Sequence, residues 1–188
     1  MARIAMAHEA DATPEYKLKS AFIYNFATFI DWPEKTGKTL TLCVAAPQAE
    51  MEYFSSLEGK PVGDMTVAVR HLEEGISAEG CRILFVAESE SDGFDDWLSE
   101  VGDEQVLTVT ESEKWLKKGV MIALLLQDKR IVFDVNMAAA KEVGVVINSK
   151  LLRLAHKVYG LEAPDEVPAN KPMDKPAADK LTMDKSTQ

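Results

Sequence analysis

Three histidines are the first candidates for chemistry in this sequence, because imidazole is the usual acid–base group near neutral pH and a common metal ligand. His71 follows a predicted strand and stands close in sequence to Glu73 and Glu74, a combination that could transfer protons. A solvated loop position is the simpler interpretation of His71, and the sequence favours it. His8 lies near the start of the chain and His156 in the predicted last helix. None of the three has a second histidine at ligand spacing, so the sequence predicts no metal site.

Carboxylates are concentrated between residues 88 and 104, where no lysine or arginine interrupts them. Such a run can supply acid–base pairs or calcium ligands, but the Asp-x-Asp-x-Asp-Gly calcium loop is absent. The pattern favours a solvated helix face, with a docking surface for a basic partner as the alternative. The residues concerned are Glu88, Glu90, Asp92, Asp95, Asp96, Glu100, Asp103 and Glu104.

The two cysteines, Cys43 and Cys81, leave two interpretations open. Cys43 falls inside the first predicted strand and Cys81 directly before the third. Neighbouring parallel strands would bring the two within disulfide reach, whereas a reducing compartment would leave two buried thiols. A nucleophilic thiol is disfavoured because the Cys-x-x-Cys motif is absent.

Motifs for cofactor chemistry are missing as well. The turn after the first predicted strand, residues 45–48, contains no glycine, so the dinucleotide fingerprint is absent. Neither a phosphate-binding loop nor a Gly-x-Ser-x-Gly nucleophile elbow occurs. The sequence therefore predicts a protein that has no cofactor and is not an enzyme.

Composition limits the class of protein further. The 188 residues are 46% hydrophobic and 28% charged, which is the balance of a globular domain. The net charge of −10 repels phosphate backbones, so a nucleic-acid partner is excluded. No stretch approaches the roughly 20 apolar residues that a membrane-spanning helix needs.

Helices and strands alternate in the first two thirds of the chain. A helix over residues 14–30 ends at Asp31-Trp32-Pro33, because the residue before a proline is disfavoured in a helix. This helix is apolar on nearly every face, so it lies in a core or, alternatively, at an interface. Further strands are predicted over 38–45, 65–70, 82–87 and 105–109, and further helices over 48–57, 93–101 and 110–116, the last capped by Thr110 or Ser112.

The pattern changes after residue 118. Residues 119–126 and 130–135 are apolar runs whose three-residue connection permits only an antiparallel hairpin. Asn136 caps a helix over 137–143 that ends at Gly144, a short last strand covers 145–147, and Asn148 or Ser149 caps a final helix over 150–158 closed by Gly160. The order predicts a three-layer α/β fold, with a mainly parallel sheet flanked by helices and a C-terminal antiparallel hairpin.

Both ends of the chain differ from its middle. Residues 161–188 are rich in Pro, Lys and Asp and are predicted to be a disordered tail. Near the start, Ala5-Met6-Ala7 is similar to the end of an export signal but lacks its apolar region, so it is either a signal remnant or a chance pattern. The predicted division is therefore 1–14, 15–160 and 161–188.

Two long stretches of the sequence resemble the YfiR-like family of small periplasmic proteins. The opening stretch is YKLKSAFIYNFATFIDWP (16–33), and the closing one is RIVFDVNMAAAKEVGVVINSKLLRLA (130–155). Between them, Leu42-Cys-Val and Cys81-Arg-Ile-Leu-Phe-Val are similar to the family's first and third core strands. The resemblance covers roughly residues 15–158.

The resemblance implies an exported, non-enzymatic regulatory protein. The best-known members inhibit a membrane-bound diguanylate cyclase by binding its periplasmic sensor domain, and an outer-membrane lipoprotein can sequester the inhibitor. Members tend to form homodimers, and other relatives serve as sensor or accessory domains. The resemblance also implies a structural disulfide between Cys43 and Cys81. The second cysteine pair of some members has no counterpart between residues 119 and 135.

A regulator needs an exposed surface with a few anchoring side chains. The candidates are Tyr24, Asn25 and Trp32 from the first helix, and Asn136, Lys150, Arg153 and His156 around the last. Asn136 is favoured as a helix cap, Trp32 could equally fill the core at a helix end, and Lys150 and Arg153 could form a solvated face. The leading function is inhibition of a periplasmic sensor domain, and the alternative is a small-molecule sensor with its ligand at the strand ends.

Overall fold

The computed structural model describes residues 13–33, 37–102 and 104–161. The predicted tail except its first residue, Leu161, and most of the predicted N-terminal segment, with Ala5-Met6-Ala7 and His8, lie outside these ranges. Within them the strands are β1 (Ile30–Asp31), β2 (Thr39–Ala45), β3 (Pro61–Val62), β4 (Met65–His71), β5 (Ile83–Val86), β6 (Leu107–Thr110), β7 (Ile122–Gln127), β8 (Arg130–Asn136), β9 (Val146–Ile147) and β10 (Lys157–Tyr159). The α-helices are α1 (Thr13–Thr28), α2 (Met51–Ser55), α3 (Phe94–Val101), α4 (Met137–Glu142) and α5 (Ser149–Leu152).

Eight of these strands form one twisted layer in the order β10-β8-β7-β6-β5-β2-β4-β3. The five strands from β7 to β4 in this order are mutually parallel. β8 is antiparallel to β7, β10 runs alongside β8 in the same direction, and β3 is antiparallel to β4. This confirms the predicted mainly parallel sheet with an antiparallel hairpin.

The hairpin follows from a connection of only two residues. Asp128 and Lys129 both have positive φ, +48° and +61°. Left-handed conformations at both central positions define the hairpin turn whose twist matches that of the strands. The turn makes Gln127 and Arg130 the closing pair of the hairpin.

The sheet is buried on both faces, which confirms the three-layer architecture. Along β2, Leu40, Leu42 and Val44 face one layer, and Cys43 and Ala45 face the other, as the period-two alternation of a strand requires. The first layer contains α1 and α2, and the second contains α3 and the 3₁₀ helix Glu113–Lys118.

Helix α1 supplies the centre of the first layer. Ile23 and Phe26 are fully buried, and the Phe26 ring lies 5.0 Å from that of Phe133 in β8. The core interpretation of this helix is therefore correct for its buried face, while Leu18 remains 51% exposed.

The two cysteines form a disulfide that joins adjacent strands. Cys43 lies in β2, Cys81 lies two residues before the start of β5, and their Cα atoms are 5.7 Å apart because β2 and β5 pair in parallel. Arg70, which is opposite Cys43 on β4, directs its guanidinium Nη2 to within 3.1 Å of both sulfurs and donates to the Glu79 carbonyl.

The prediction of a final helix over 150–158 is wrong. α5 ends at Leu152, and the chain then extends so that the His156 amide donates to the Phe133 carbonyl at 2.8 Å, after which β10 pairs with β8. Gly160 closes this strand rather than a helix. A β-carbon there would lie 2.6 Å from the Ala138 nitrogen, so only glycine fits this close approach.

Three smaller predictions also needed correction. The predicted helix over 110–116 is the 3₁₀ helix at 113–118, and Ser112 precedes it without a side-chain cap. The predicted helix over 48–57 is a 3₁₀ turn followed by the short α2. The strand at 145–147 is β9, and it pairs outside the main sheet with β1, which the sequence did not predict.

Removing the disulfide should destabilise the fold measurably. The bridge closes a loop of 38 residues, so the Cys43→Ala, Cys81→Ala double variant should lose roughly 3–4 kcal/mol of unfolding free energy through the greater entropy of its unfolded chain. Urea denaturation measures the loss, and reduced wild-type protein should match the variant. A loss below about 1 kcal/mol would contradict a structural role for the bridge.

Candidate functional site

A pocket of about 410 Å³ opens beyond the carboxyl ends of β5 and β6, and it is called the carboxyl-edge pocket below. It exists because β6 stops pairing at Thr110, opposite Ala123, while β7 continues to Gln127. The continuing part of β7 therefore forms a wall beyond the end of its neighbour. The lining residues are Glu15, Lys19, Glu88, Glu111, Glu113, Leu124, Leu125, Leu126 and Gln127.

A buried lysine connects α1 to this edge of the sheet. The Lys19 ammonium lies 2.8 Å from Glu111 Oε1 and also pairs with Glu15 one turn earlier on the helix. The side chain of Lys19 is 6% exposed and that of Glu111 is 9% exposed. The second Glu111 oxygen accepts a hydrogen bond from the Glu88 amide at 3.0 Å, so one carboxylate joins α1, the end of β5 and the end of β6.

The potential around the pocket is negative. Burial and the nearby carboxylates of Glu111, Glu50, Glu15 and Glu90 together raise the pKa of Tyr16 well above its usual value. The Lys19 ammonium lies 4.5 Å from the centre of the Tyr16 ring, but it is already shared by two glutamates. The pocket therefore retains an excess of negative charge.

A second network ties β10 to β8 beside the pocket. Asp134 is fully buried, and its two oxygens contact His156 Nδ1 at 3.0 Å and the Tyr159 hydroxyl at 3.3 Å. The same hydroxyl donates to Glu113 at 3.0 Å. The ring of Tyr159 is partly exposed, but desolvation and the bond to Glu113 raise the pKa of its hydroxyl to about 12.

The predicted site residues of the first helix lie near a different cleft. The Tyr24 hydroxyl donates to the Pro61 carbonyl of β3 at 2.6 Å, and Trp32 Nε1 donates to the Ala27 carbonyl at 2.8 Å. Trp32 packs against the core while lining a cleft of about 570 Å³ with the turn between β3 and β4. Asn25 is exposed.

Two of the predicted site residues around the last helix, Asn136 and His156, lie on the β8–β10 side of the sheet. Asn136 caps α4 by accepting from the Ala139 amide, and its amide group donates to the Leu116 carbonyl at 2.8 Å. His156 contacts Asp134, while Lys150 and Arg153 are exposed. Because β3 and β10 are the two outermost strands, Asn136 and His156 are separated from the contact of Tyr24 with β3. Lys150 is closer to the first helix, since the Asn148 amide donates to the Phe29 carbonyl at 2.9 Å.

Sequence reasoning missed Lys19, Glu111 and Asp134. The first turns of α1 contain two lysines, Lys17 and Lys19, and the sequence does not indicate which of them is buried or what its partners are. Glu88, from the predicted acidic run, does lie in the pocket. Glu100, which belongs to the same run and lies in α3, instead accepts a hydrogen bond from the Ala78 amide. The run is therefore not one continuous surface.

His71 contacts a backbone carbonyl and an exposed carboxylate. Its Nε2 lies 3.1 Å from the Ala46 carbonyl, and its Nδ1 is 4.0 Å from an exposed Glu73 carboxylate. Across residues 13–33, 37–102 and 104–161, no cluster of three or more potential ligands is arranged to hold a metal ion. In the same ranges, no helix has both the length and the hydropathy to cross a membrane.

Together, these features define a three-layer α/β domain with a negatively charged pocket at the carboxyl edge of its sheet. A family model described as YfiR/HmsC-like matches residues 16–156, so the chain belongs to the YfiR/HmsC-like family. It is a family of periplasmic regulatory proteins that act with envelope sensor proteins. No curated protein matches the chain.

Solved structures share the fold at low sequence identity. A conserved domain protein from Vibrio cholerae O1 biovar El Tor has a TM-score of 0.55 and 10% identity. A domain described as an ABC domain in complex with L-Trp, from Streptococcus pneumonia, has a TM-score of 0.50 and 10% identity. Each match covers 76% of this chain but only 60% of the other one, so the likeness concerns the fold alone.

Replacing Lys19 should destabilise the protein strongly. Lys19→Met leaves the buried Glu111 carboxylate without its cation, and loss of one partner from a buried ion pair typically costs about 3–5 kcal/mol. Lys17→Met, at an exposed position two residues earlier, is the matched control and should change stability by less than about 0.5 kcal/mol. Equal urea midpoints for the two variants would show that the ion pair is not structural.

Replacing Asn136 should mainly lower the free energy of unfolding. Asn136→Ala removes the cap of α4 and the donor to Leu116, so unfolding free energy should fall by about 1–2 kcal/mol. Asn136→Asp keeps the cap acceptor but loses the donor and should lie between alanine and the wild type. If both variants keep wild-type urea midpoints, the helix-cap interpretation is wrong.

Proposed function

We propose that this protein inhibits a membrane-bound diguanylate cyclase by occupying its periplasmic sensor domain, without performing catalysis itself. Inhibition by binding is a population shift, because an inhibitor that prefers the inactive conformation holds the partner in it. In the same proposal the inhibitor is a homodimer, and an outer-membrane lipoprotein competes for it and thereby restores cyclase activity.

Family membership carries this proposal. The matched region, residues 16–156, includes all but the first turn of α1, every strand of the main sheet except β10, and every residue of the carboxyl-edge pocket except Glu15. The pocket adds support because it offers charged and apolar groups without a nucleophile beside a base. A surface of this kind suits recognition better than turnover.

Deleting the gene should raise cellular cyclic di-GMP if the proposal is correct. The rise should disappear when the protein is supplied again, because the free sensor domain is then occupied. Mass spectrometry of nucleotide extracts measures the level, and deleting each membrane-bound cyclase in turn should cancel the rise in one case only. A level that stays the same with and without the protein would overturn cyclase control.

The second candidate function is a small-molecule sensor. It is favoured by the position of the carboxyl-edge pocket, since open α/β sheets bind ligands beyond the carboxyl ends of their strands. A thermal-shift screen of amino acids and nucleotides distinguishes the candidates, because a tight ligand raises the melting temperature by mass action. A ligand that shifts the wild type but not Glu88→Gln would favour the sensor.

A further inference from the structure

We propose that the free edge of β7 pairs with an extended segment of the partner protein that carries lysine or arginine. This edge, Leu124–Gln127, is called the β7 overhang. The inference deepens the proposed function by assigning the surface that meets the partner, and the partner's identity as a sensor protein rests on that proposal.

The first argument is the direction of the backbone groups. The two-residue turn makes Gln127 and Arg130 a hydrogen-bonded pair, and residues along an antiparallel strand alternate in direction. Consistently, the Met121 carbonyl accepts from the Asn136 amide on the β8 side. The amide and carbonyl of Leu126 therefore point away from β8.

In the described part of the chain, no group pairs with the outward amide and carbonyl of Leu126. The register of β6 with β7 ends at Ala123, so β6 does not reach Leu126. Beyond Thr110 the chain turns away into the 3₁₀ helix that begins at Glu113. An unpaired strand edge is a ready template for an added strand, a common mode of peptide recognition.

The third argument is the room beside the overhang. The carboxyl-edge pocket, about 410 Å³, lies where a continuation of β6 would run, and strands in a sheet are about 4.8 Å apart. Leu126 is 57% exposed at the rim, so it offers an apolar contact to an incoming side chain. The site therefore combines backbone hydrogen bonds with an apolar anchor.

The charge of the pocket lining indicates which kind of segment would bind beside the β7 overhang. Four glutamates line the pocket, at positions 15, 88, 111 and 113, against the single Lys19. Lys19 already pairs with Glu15 and Glu111, and the exposed Lys114 lies 4.0 Å from Glu88, whose side chain is 61% exposed, so four carboxylates at the opening face two ammonium groups. Complementary charge favours a cationic segment and disfavours a second copy of this chain, whose net charge is −10.

A matched pair of variants tests the backbone argument. Leu126→Pro and Leu126→Ala both remove the leucine side chain, but only proline removes the outward amide. Because that amide takes no part in the hairpin, proline should preserve folding, as it does at edge positions generally. Circular dichroism and urea denaturation check that both variants fold.

The probe is a short synthetic peptide in which lysine and valine alternate, with a counterpart in which glutamate replaces every lysine. Calorimetry with the full chain should detect the lysine peptide only, more weakly at high salt, and Leu126→Pro should bind it about fivefold more weakly than Leu126→Ala. Binding that is equal in the two variants would overturn the proposal.

Amide hydrogen exchange gives an independent readout of the same contact. The Leu126 amide should exchange readily in the free protein and become protected with the lysine peptide, while the Leu125 amide is protected in both states. If the Leu126 amide is protected in the free chain at every dilution, the edge is occupied by residues 162–188 of the same chain. If it is protected only at high protein concentration, the edge is occupied by a second copy of the chain. Either result overturns the proposal.

A second pair of substitutions tests whether the lysine peptide is attracted by the charge of the pocket. Glu88→Gln should weaken the lysine peptide and reduce its salt dependence, whereas Glu73→Gln, which is 75% exposed on another loop, should not. Equal effects of the two substitutions would show attraction by the net charge of the protein rather than by this pocket.

Cyclic di-GMP measurements in the deleted strain separate the inference from the proposed function. If Leu126→Ala restores the low level and Leu126→Pro does not, at equal periplasmic amounts, the surface is assigned correctly. If both restore it, the protein is an inhibitor that uses another surface. If wild-type protein also has no effect, cyclase control fails, and the peptide experiments still decide whether the β7 overhang binds a cationic strand.

Discussion

The reversal of the chain between β7 and β8 is the constraint on which the functional edge of this protein depends. Among β2, β4, β5, β6 and β7, helical and looped connections return the chain to the same end of the sheet, so these five strands run in parallel. Asp128 and Lys129 are too short a connection for that return, and the hairpin they form projects beyond the end of β6. The overhang, the carboxyl-edge pocket and the support for β10 all follow from this one geometric fact.

Charged side chains then make the carboxyl edge of the sheet negative. The buried ammonium of Lys19 is shared by Glu15 and Glu111, which fixes the first turn of α1 over the strand ends. Lys19 is shared by two carboxylates and Lys114 lies 4.0 Å from Glu88, so the glutamates at the opening still outnumber the cations beside them. The buried Asp134 has the same structural role on the far side, where it holds His156 and Tyr159 and thereby keeps β10 beside β8. Charged groups thus join α1 to the strand ends and reinforce the backbone pairing of β10 with β8.

The prediction from sequence was most successful where local rules are strong. The hairpin, the Asn136 cap and the strand positions follow from connection length, cap chemistry and apolar runs, and all of them are confirmed. The final helix was predicted wrongly because residues 150–158 contain good helix formers, whereas pairing with β8 and the close approach of Gly160 to Ala138 require an extended chain. Tertiary contacts outweighed local propensity there.

The amino-acid sequence by itself determined the class of fold, the absence of recognisable catalytic motifs, the acidic character of the chain and its resemblance to a regulatory family. Only the tertiary structure decided that Cys43 and Cys81 form a disulfide and that Lys19 pairs with Glu111. It also decided that β7 extends four residues beyond its pairing with β6. The physical reason is distance along the chain. Apolar periodicity and capping act between residues a few positions apart, whereas pairs such as Lys19 and Glu111 are defined only when the whole sheet and its covering helices are assembled.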